Sequence, residues 1–358
     1  MLENFDVEEY RGFKKLHVDG LRRVNLIVGR NNSGKTSLLE AAHLLLSWGD
    51  LSSLLGTAIR RGETMVIREQ NQLRPDLSHC FHGHLLNGSQ RFRLEGNTTG
   101  SITVSFGSEA AKVLIDANPN LGMQSSEQTI LLETPTRKVV FDLVNQSQRI
   151  STHSNQQIDV NKCVFLSTDS LSNQELAGLW DQVTLKGLDG GVRDALRIIE
   201  PDVESVHALT GLSPQVFYHP QVYSSRPNMF VIGMKGVKYR VPLGSLGDGM
   251  KRILGLTVAI LSTDSGAVFI DEIDTGLHHS IMKQLWAIVV DRAREFGVQV
   301  FATTHSWDCI QGLAELCEEN EVVRSEVAVH KLDRNLTRSV SFDGESLPSM
   351  SRNQVDPR

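Results

Sequence analysis

Residues 29–37 read GRNNSGKTS, between the apolar run VNLIV (24–28) and the stretch SLLEAAHLLLSW (37–48). They fit G-x-x-x-x-G-K-[ST] at every fixed position: Gly29, Gly34, Lys35 and Thr36. A chance match is on the order of one in a few hundred for a chain of this length. The flanks make chance less plausible still, because an extended run followed by helical apolar spacing is the strand–loop–helix context the pattern needs. The chemistry explains each fixed position. The backbone must turn its N–H groups onto a phosphate, and side chains at 29 and 34 would obstruct that. The following helix presents its positive end to the same group. Lys35 reaches terminal phosphates as a point charge, and the Thr36 hydroxyl is placed to ligate Mg²⁺.

Such a loop needs an acidic partner at the end of a neighbouring strand, and AVFIDE (267–272) supplies one. Asp271 would contact Mg²⁺, and Glu272 can polarise an attacking water as general base. Upstream, LGDGMKR (246–252) is a second glycine-rich turn opening a helix, which is a phosphate site in its own right. Two loops cannot both enclose one terminal phosphate, so the second would serve a nucleotide held by another subunit. Downstream, VQVFATTHS (298–306) ends a buried strand at His305, which can touch a terminal phosphate or bond a backbone carbonyl.

Around these motifs the pattern is α/β, with strands alternating with amphipathic helices after residue 244. SQRFRLEG, GSITVSFG, TILLET and RKVVFDLV predict an antiparallel β insertion at about 79–160. NQELAGLWDQV and GVRDALRIIE predict a helical subdomain at about 170–210, and QVFYHPQVY with MFVIGMKG a further β patch. Residues 50–75 read as helical. The expected organisation is one head over 1–345, with its nucleotide-binding core in 1–50 and 160–345. A polar flexible tail is expected at 346–358.

The 358 residues are 40% hydrophobic and 22% charged, which is a globular composition. The formal net charge of −6 gives no global field for nucleic acid. Arg11, Lys14, Lys15, Arg22, Arg23, Arg60, Arg61 and Arg68 leave either a local basic face or an ordinary solvated surface. Cysteines 80, 163, 309 and 317 form no CxxC pair, which fits a reducing cytoplasm. No signal-peptide pattern or membrane-length apolar run occurs, so a cytoplasmic location with no membrane partner is expected. Cys80, His82 and His84 are too few for a metal site. Trp180 and Trp286 fall on apolar helical positions and predict core.

In order and spacing these pieces resemble the ATP-binding-cassette (ABC) type of P-loop NTPase, and within it the soluble SMC, RecF and OLD-related branch. The opening ENFDVEEYRGFKKL, the loop at 29–37, SLGDGMKR, FIDEIDTGLHHS and TTHS carry the likeness. It covers roughly residues 1–45 and 160–335, and is greatest to compact AAA-domain ATPases that accompany a separate effector in anti-phage or toxin–antitoxin systems. The resemblance implies an ABC-type head that hydrolyses ATP with Mg²⁺ and assembles by ATP sandwiches. Each nucleotide would touch Gly29, Arg30, Asn31, Asn32, Ser33, Gly34, Lys35, Thr36 and Ser37 of one copy. From the other copy it would meet a signature loop of Ser245, Gly247, Asp248 and Gly249. It assigns Glu272 to water activation, His305 to phosphate sensing, and Asp274, Gly276 and His278 to the D-loop. Arg11 would reach the nucleotide, and Gln174 would be the Q-loop metal contact.

Gly247-Asp248 departs from the family, whose signature has Ser before its glycine pair, and this points to slow or partner-dependent hydrolysis. No long heptad segment separates the halves, and too little chain follows His305 for a nuclease domain, so no nuclease activity is expected. The implied function is an ATP-driven switch controlling a partner such as a nuclease or toxin. The alternative is a RecF-like ATPase that clamps DNA in repair.

Overall fold

The computed structural model describes residues 1–67, 72–84, 90–107, 129–142, 147–152, 162–209, 229–356 and 358. The fold is α/β, and the chain divides into two compact units where the sequence suggests one continuous head. One unit holds Met1–Arg22, Gly29–Asn161 and His330–Ser341, and the other Arg23–Val28, Lys162–Val329 and Phe342–Arg358.

In the first unit, β1 (Phe5–Tyr10) and β2 (Phe13–Val18) form an antiparallel hairpin. Phe5 and Val7 of β1 are buried and Asp6 and Glu8 half-buried, the alternation of a strand with one covered face. Helix α1 (Lys35–Leu46) follows the loop, and α2 (Leu51–Arg60) starts at Asp50, whose carboxylate accepts from Ser52 N–H. The helix expected over 50–75 ends at Arg60. Gly62 takes a left-handed φ of 69° there, and the β-favouring TMVI then opens a hairpin of β4 (Thr64–Ile67) and β5 (Gln72–Pro75). Arg68 lies outside the described residues.

The remaining strands of this unit are β6 (Arg91–Gly96), β7 (Gly100–Phe106), β8 (Thr129–Glu133), β9 (Arg137–Asp142) and β10 (Ser147–Thr152). Among the described residues they join one seven-stranded sheet in the order β10-β9-β8-β7-β6-β1-β2. The strands predicted as an insertion therefore extend the N-terminal hairpin, through an antiparallel pairing of β6 with β1. Phe92 and Leu94 of β6 are fully buried, and Phe92 packs edge-on to Tyr10 of β1.

The second unit begins with β3 (Val24–Val28), all five residues of which are buried. It also contains β11 (Cys163–Leu166) and the small antiparallel sheet β12 (Val203–Leu209), β13 (Met229–Met234) and β14 (Val241–Pro242). QVFYHPQVY lies outside the described residues. β15 (Ala267–Ile270), β16 (Gln299–Thr303), β17 (Val327–Lys331) and β18 (Val340–Asp343) complete a sheet ordered β11-β15-β16-β3-β17-β18. β11, β15, β16 and β3 run parallel, as buried apolar strands joined by helices do.

The helices of this unit are α3 (Asn173–Leu185), α4 (Asp189–Leu196), α5 (Asp248–Ser262), α6 (Met282–Glu295), α7 (Trp307–Glu319), α8 (Glu321–Glu326) and α9 (Leu347–Arg352). A capping box of Ser172 and Glu175 starts α3. Trp180 and Trp286 are core residues as predicted, and the Trp286 indole N–H donates to the Cys309 carbonyl at 2.9 Å. All four cysteines are free thiols, three of them buried.

The tail from 346 onward differs from the expectation of a flexible segment. Pro348 favours the first turn of α9, Leu347 is buried, and the Arg358 guanidinium donates to the His305 carbonyl at 2.6 Å. Leu347 and Pro348 are the buried residues of α9, in a stretch whose composition is otherwise polar. Among the described residues no helix is long and apolar enough to cross a membrane.

Candidate nucleotide-binding site

The loop from β3 to α1 has the shape its sequence requires. Gly29 and Gly34 adopt φ of 150° and 97°, in the region that disfavours side chains. A Cβ on Gly29 would lie 2.7 Å from the Leu332 carbonyl oxygen, and one on Gly34 would lie 2.5 Å from the Phe13 ring. The Lys35 ammonium donates to the carbonyls of Gly29 at 2.9 Å and Arg30 at 3.2 Å. Helix α1 begins with no side-chain cap and no acidic residue in its first turn. Ser33 is 6% exposed, and its hydroxyl has no hydrogen-bond partner among the described residues. A cradle that a Cβ would fill, an uncapped helix start, a lysine and an orphaned hydroxyl fit a polyphosphate. Arg30, Asn31 and Asn32 are exposed on the loop, with Thr36 and Ser37 half-buried in the first turn.

A cavity of 1000 Å³ opens from Asn32, Ser33, Gly34 and Ser37 and extends along Phe13, Lys14 and the turn at 333–337. Arg11 also lines it, but its guanidinium is already engaged. It makes a two-pronged bond to Glu63, at 2.7 and 3.0 Å, and an ion pair with Glu40 at 3.1 Å. Burial pushes the Glu40 carboxyl up, against the pull of Arg11 and Arg61. The structure thus places Arg11 in an ion-pair network with Glu40 and Glu63 at the edge of the cavity. Cys80, His82 and His84 lie in a turn region. Cys80 ends the short turn Leu77–Cys80 and is buried, His82 and His84 follow it, and no cluster of metal-ligating groups occurs among the described residues.

In the other unit, parallel pairing sets the ends of β15, β16 and β3 along one sheet edge, where α/β sheets bind ligands. β3 leads into the loop and β15 into Asp271. The Thr303 hydroxyl at the end of β16 donates to Asp271 Oδ1 at 2.6 Å and accepts from the Glu272 N–H at 2.8 Å. Glu272 has a left-handed φ of 48°, strained for a residue with a side chain. Its carboxylate lies 3.6 Å from His305 Nδ1, with the His305 side chain 53% exposed. His305 therefore meets Glu272, while its carbonyl, not its ring, receives Arg358. The Thr304 hydroxyl donates to Asp274 at 2.6 Å.

Two residues that motif reading does not single out organise this edge. Thr303 is one, marked in the sequence only as the first Thr of TTHS. Arg252 of α5 is the other. It is 2% exposed and donates to the carbonyls of Ser167, Asp271 and Glu272 at 2.7, 2.6 and 2.9 Å. Burial lowers its pKa, opposed by Asp271, Asp274 and Glu272. Replacing Thr303 by Val should leave the Glu272 N–H and a buried Asp271 oxygen without this partner, and cost about 1–3 kcal/mol of stability. Urea unfolding of T303V checks this, and an unchanged midpoint would contradict it.

Asp248 opens α5 with its side chain 85% exposed and paired to Lys251 at 2.9 Å. Gly249 packs on the D-loop of its own chain, because a Cβ there would lie 3.0 Å from the Gly276 carbonyl oxygen. Ser245 is exposed in the turn Leu243–Leu246, and the His278 ring accepts from Ser280. Gln174 is exposed in the first turn of α3, on the chain that leaves β11.

A family model described as "AAA domain" matches residues 6–200, and one described as "AAA domain, putative AbiEii toxin, Type IV TA system" matches 141–308. The chain is 23% identical over 377 residues to the "ATP/GTP phosphatase" of Helicobacter pylori, covering 99% of both chains. A 44-residue stretch is 46% identical to the "DNA replication and repair protein RecF" of Lactobacillus gasseri, 12% of either chain. The solved SMC head bound to the C-terminal winged-helix domain of ScpA superposes with a TM-score of 0.51 at 12% identity, covering 96% of this chain and 99% of that one. The SMC head of Pyrococcus furiosus with an extended coiled coil gives 0.50 at 10% identity, covering 99% of each. At that identity the likeness speaks to the fold.

Proposed function

The chain belongs to the AAA-domain family, and from that premise we propose that it binds and hydrolyses ATP, using the nucleotide to close two copies of itself. In this reading the loop 29–37 takes the triphosphate, with Lys35 leaving its own loop carbonyls for phosphate oxygens. Thr36 and Asp271 would hold Mg²⁺, which supplies charge neutralisation on the phosphates. Glu272 orients and deprotonates the water, and His305, beside it, registers the terminal phosphate. The partner copy contributes its α5 N-terminus, with Ser245, Gly247 and Gly249.

The observation that carries the reading is the end of β16. Thr303 ties Asp271 to the Glu272 backbone, and His305 reaches Glu272 at 3.6 Å. A strained, half-exposed glutamate held by a threonine beside a histidine has no evident packing purpose, and strain of this sort clusters at catalytic positions. The name of the Helicobacter pylori relative supports phosphohydrolase chemistry. The Type IV toxin–antitoxin description of the matching family model supports control of a separate effector, such as a nuclease or toxin in anti-phage defence.

Phosphate release from MgATP should rise more steeply than in proportion to protein concentration, because two copies build each site. Strict proportionality would mean that one chain suffices, and no release from ATP at any concentration would end the proposal. The short match to RecF favours a second reading, in which the head binds DNA. Salt-dependent DNA affinity would support it, against a net charge of −6.

A further inference from the structure

The turn after β17 packs on the phosphate loop of its own unit. The Leu332 carbonyl oxygen occupies the space a Cβ on Gly29 would need. The Arg334 guanidinium donates to the Asn32 carbonyl, and Asn32 holds a left-handed φ of 63°. The turn is tight. Asp333 accepts from the Asn335 N–H at 2.9 Å through its carboxylate and from the Leu336 N–H at 3.1 Å through its carbonyl. Its far end is pinned to β2, where the His17 N–H donates to the Thr337 carbonyl at 2.8 Å and the Ser339 N–H to the His17 carbonyl at 3.0 Å. Arg338 adds an ion pair to Asp19. Arg334 is thus presented by a segment fixed at both ends, on the wall of the 1000 Å³ cavity that opens from the loop.

Three of the other cations on that wall are held by carboxylates, and Lys14 lies there beside them. Arg11 and Arg61 are paired with carboxylates, and Lys15 lies 3.3 Å from Glu8. Among the described residues no carboxylate lies within ion-pair distance of Arg334, which instead uses one neutral carbonyl of the loop. A guanidinium gains far more from a phosphate than from an amide carbonyl, because the bond is charge-assisted and the fork matches two oxygens.

We propose that Arg334 is a nucleotide-binding residue acting in cis, its guanidinium transferring from the Asn32 carbonyl to the polyphosphate when a nucleoside triphosphate enters. This rests on the ATP-binding reading above. Both cations on the loop carbonyls, Lys35 and Arg334, then make the same exchange, from neutral carbonyl oxygens to phosphate oxygens. No covalent step is involved.

The test compares R334A, R334K and the wild type by calorimetric titration with MgATP, ADP and adenosine, with melting curves of each protein without ligand. Arg334 is exposed and makes no core contact, so R334A should melt with the wild type. Its affinity for MgATP and ADP should fall about tenfold, with a shallower salt dependence and little change for adenosine. R334K should be intermediate, keeping the charge without the fork. Wild-type affinity for MgATP in R334A would overturn the proposal. So would an equal loss for adenosine, which would assign Arg334 to the nucleoside, or a lowered melting point without ligand, which would assign it to loop stability. If the wild type itself binds no nucleotide, the ATP-binding reading fails and not this assignment alone.

Discussion

Glu272→Gln is expected to slow ATP turnover by about 10²–10⁴-fold, the usual contribution of a general base, while leaving ATP affinity within a few fold. The substitution keeps the size of the side chain and the backbone bond from the Glu272 N–H to the Thr303 hydroxyl. Asp271 keeps its bond to the same hydroxyl, so the side of the edge proposed to hold Mg²⁺ is undisturbed. What is lost is the charge that accepts a proton from water, and with it the carboxylate that faces His305 at 3.6 Å. Single-turnover phosphate release and nucleotide titration separate the two effects. A variant that turns over at the wild-type rate would remove Glu272 from the chemistry. One that also fails to bind ATP would mean that its role is structural.

Lys35→Ala is expected to weaken MgATP binding by at least about a hundredfold. Lys35 bridges the Gly29 and Arg30 carbonyls, which fixes the loop from within. Alanine removes that tie as well as the charge-assisted bonds to phosphate, each worth about 1.5–3 kcal/mol. The loss should scale with the ligand: largest for ATP, smaller for ADP and negligible for adenosine. Calorimetric titration measures this series, and undiminished affinity for ATP would place the nucleotide elsewhere.

A bulky residue at Gly249 would disturb the single chain. Gly249 lies against the Gly276 carbonyl of its own D-loop, so an added side chain would displace that loop before any partner arrived. Substitution there tests packing within one copy and cannot isolate the contact between copies. Asp248 is a better probe of the unusual Gly247-Asp248 pair, because its carboxylate is exposed and held by Lys251.

The strand–loop–helix around residues 29–37 was legible because the glycines and flanking apolar runs fix its shape at fixed spacing. Gly29 and Gly34 have the backbone conformations their role demands. The strand carrying Asp271 was legible for a related reason: a short apolar run must be buried on both faces, and the acid must come at its end. Arg252 was not legible, because its partners are backbone carbonyls, 85 positions away at Ser167 and about 20 away at Asp271 and Glu272. No spacing rule marks a residue that bonds to carbonyls.

The ion pairs of Arg11 were not legible either. Arg11 stands where a nucleotide contact could form, but the carboxylates that claim it come from Glu40 on α1 and Glu63 before β4, and only the fold brings them together. The strands beyond residue 90 read correctly as antiparallel, yet their joining to β1 depends on a register of Val7 with Leu94 that alternation alone does not specify. The helix expected over 50–75 failed at Gly62, where one left-handed residue outweighs the propensity of its neighbours.

The central claim is that ATP joins two copies of this chain. The most direct test is the molar mass of Glu272→Gln in solution, by light scattering, with and without MgATP at saturating concentration. The account predicts a mass that doubles, or a multiple of that pair, on addition of MgATP and returns to the starting value when the nucleotide is removed. A variant that binds ATP fully while its mass stays that of one chain would contradict it.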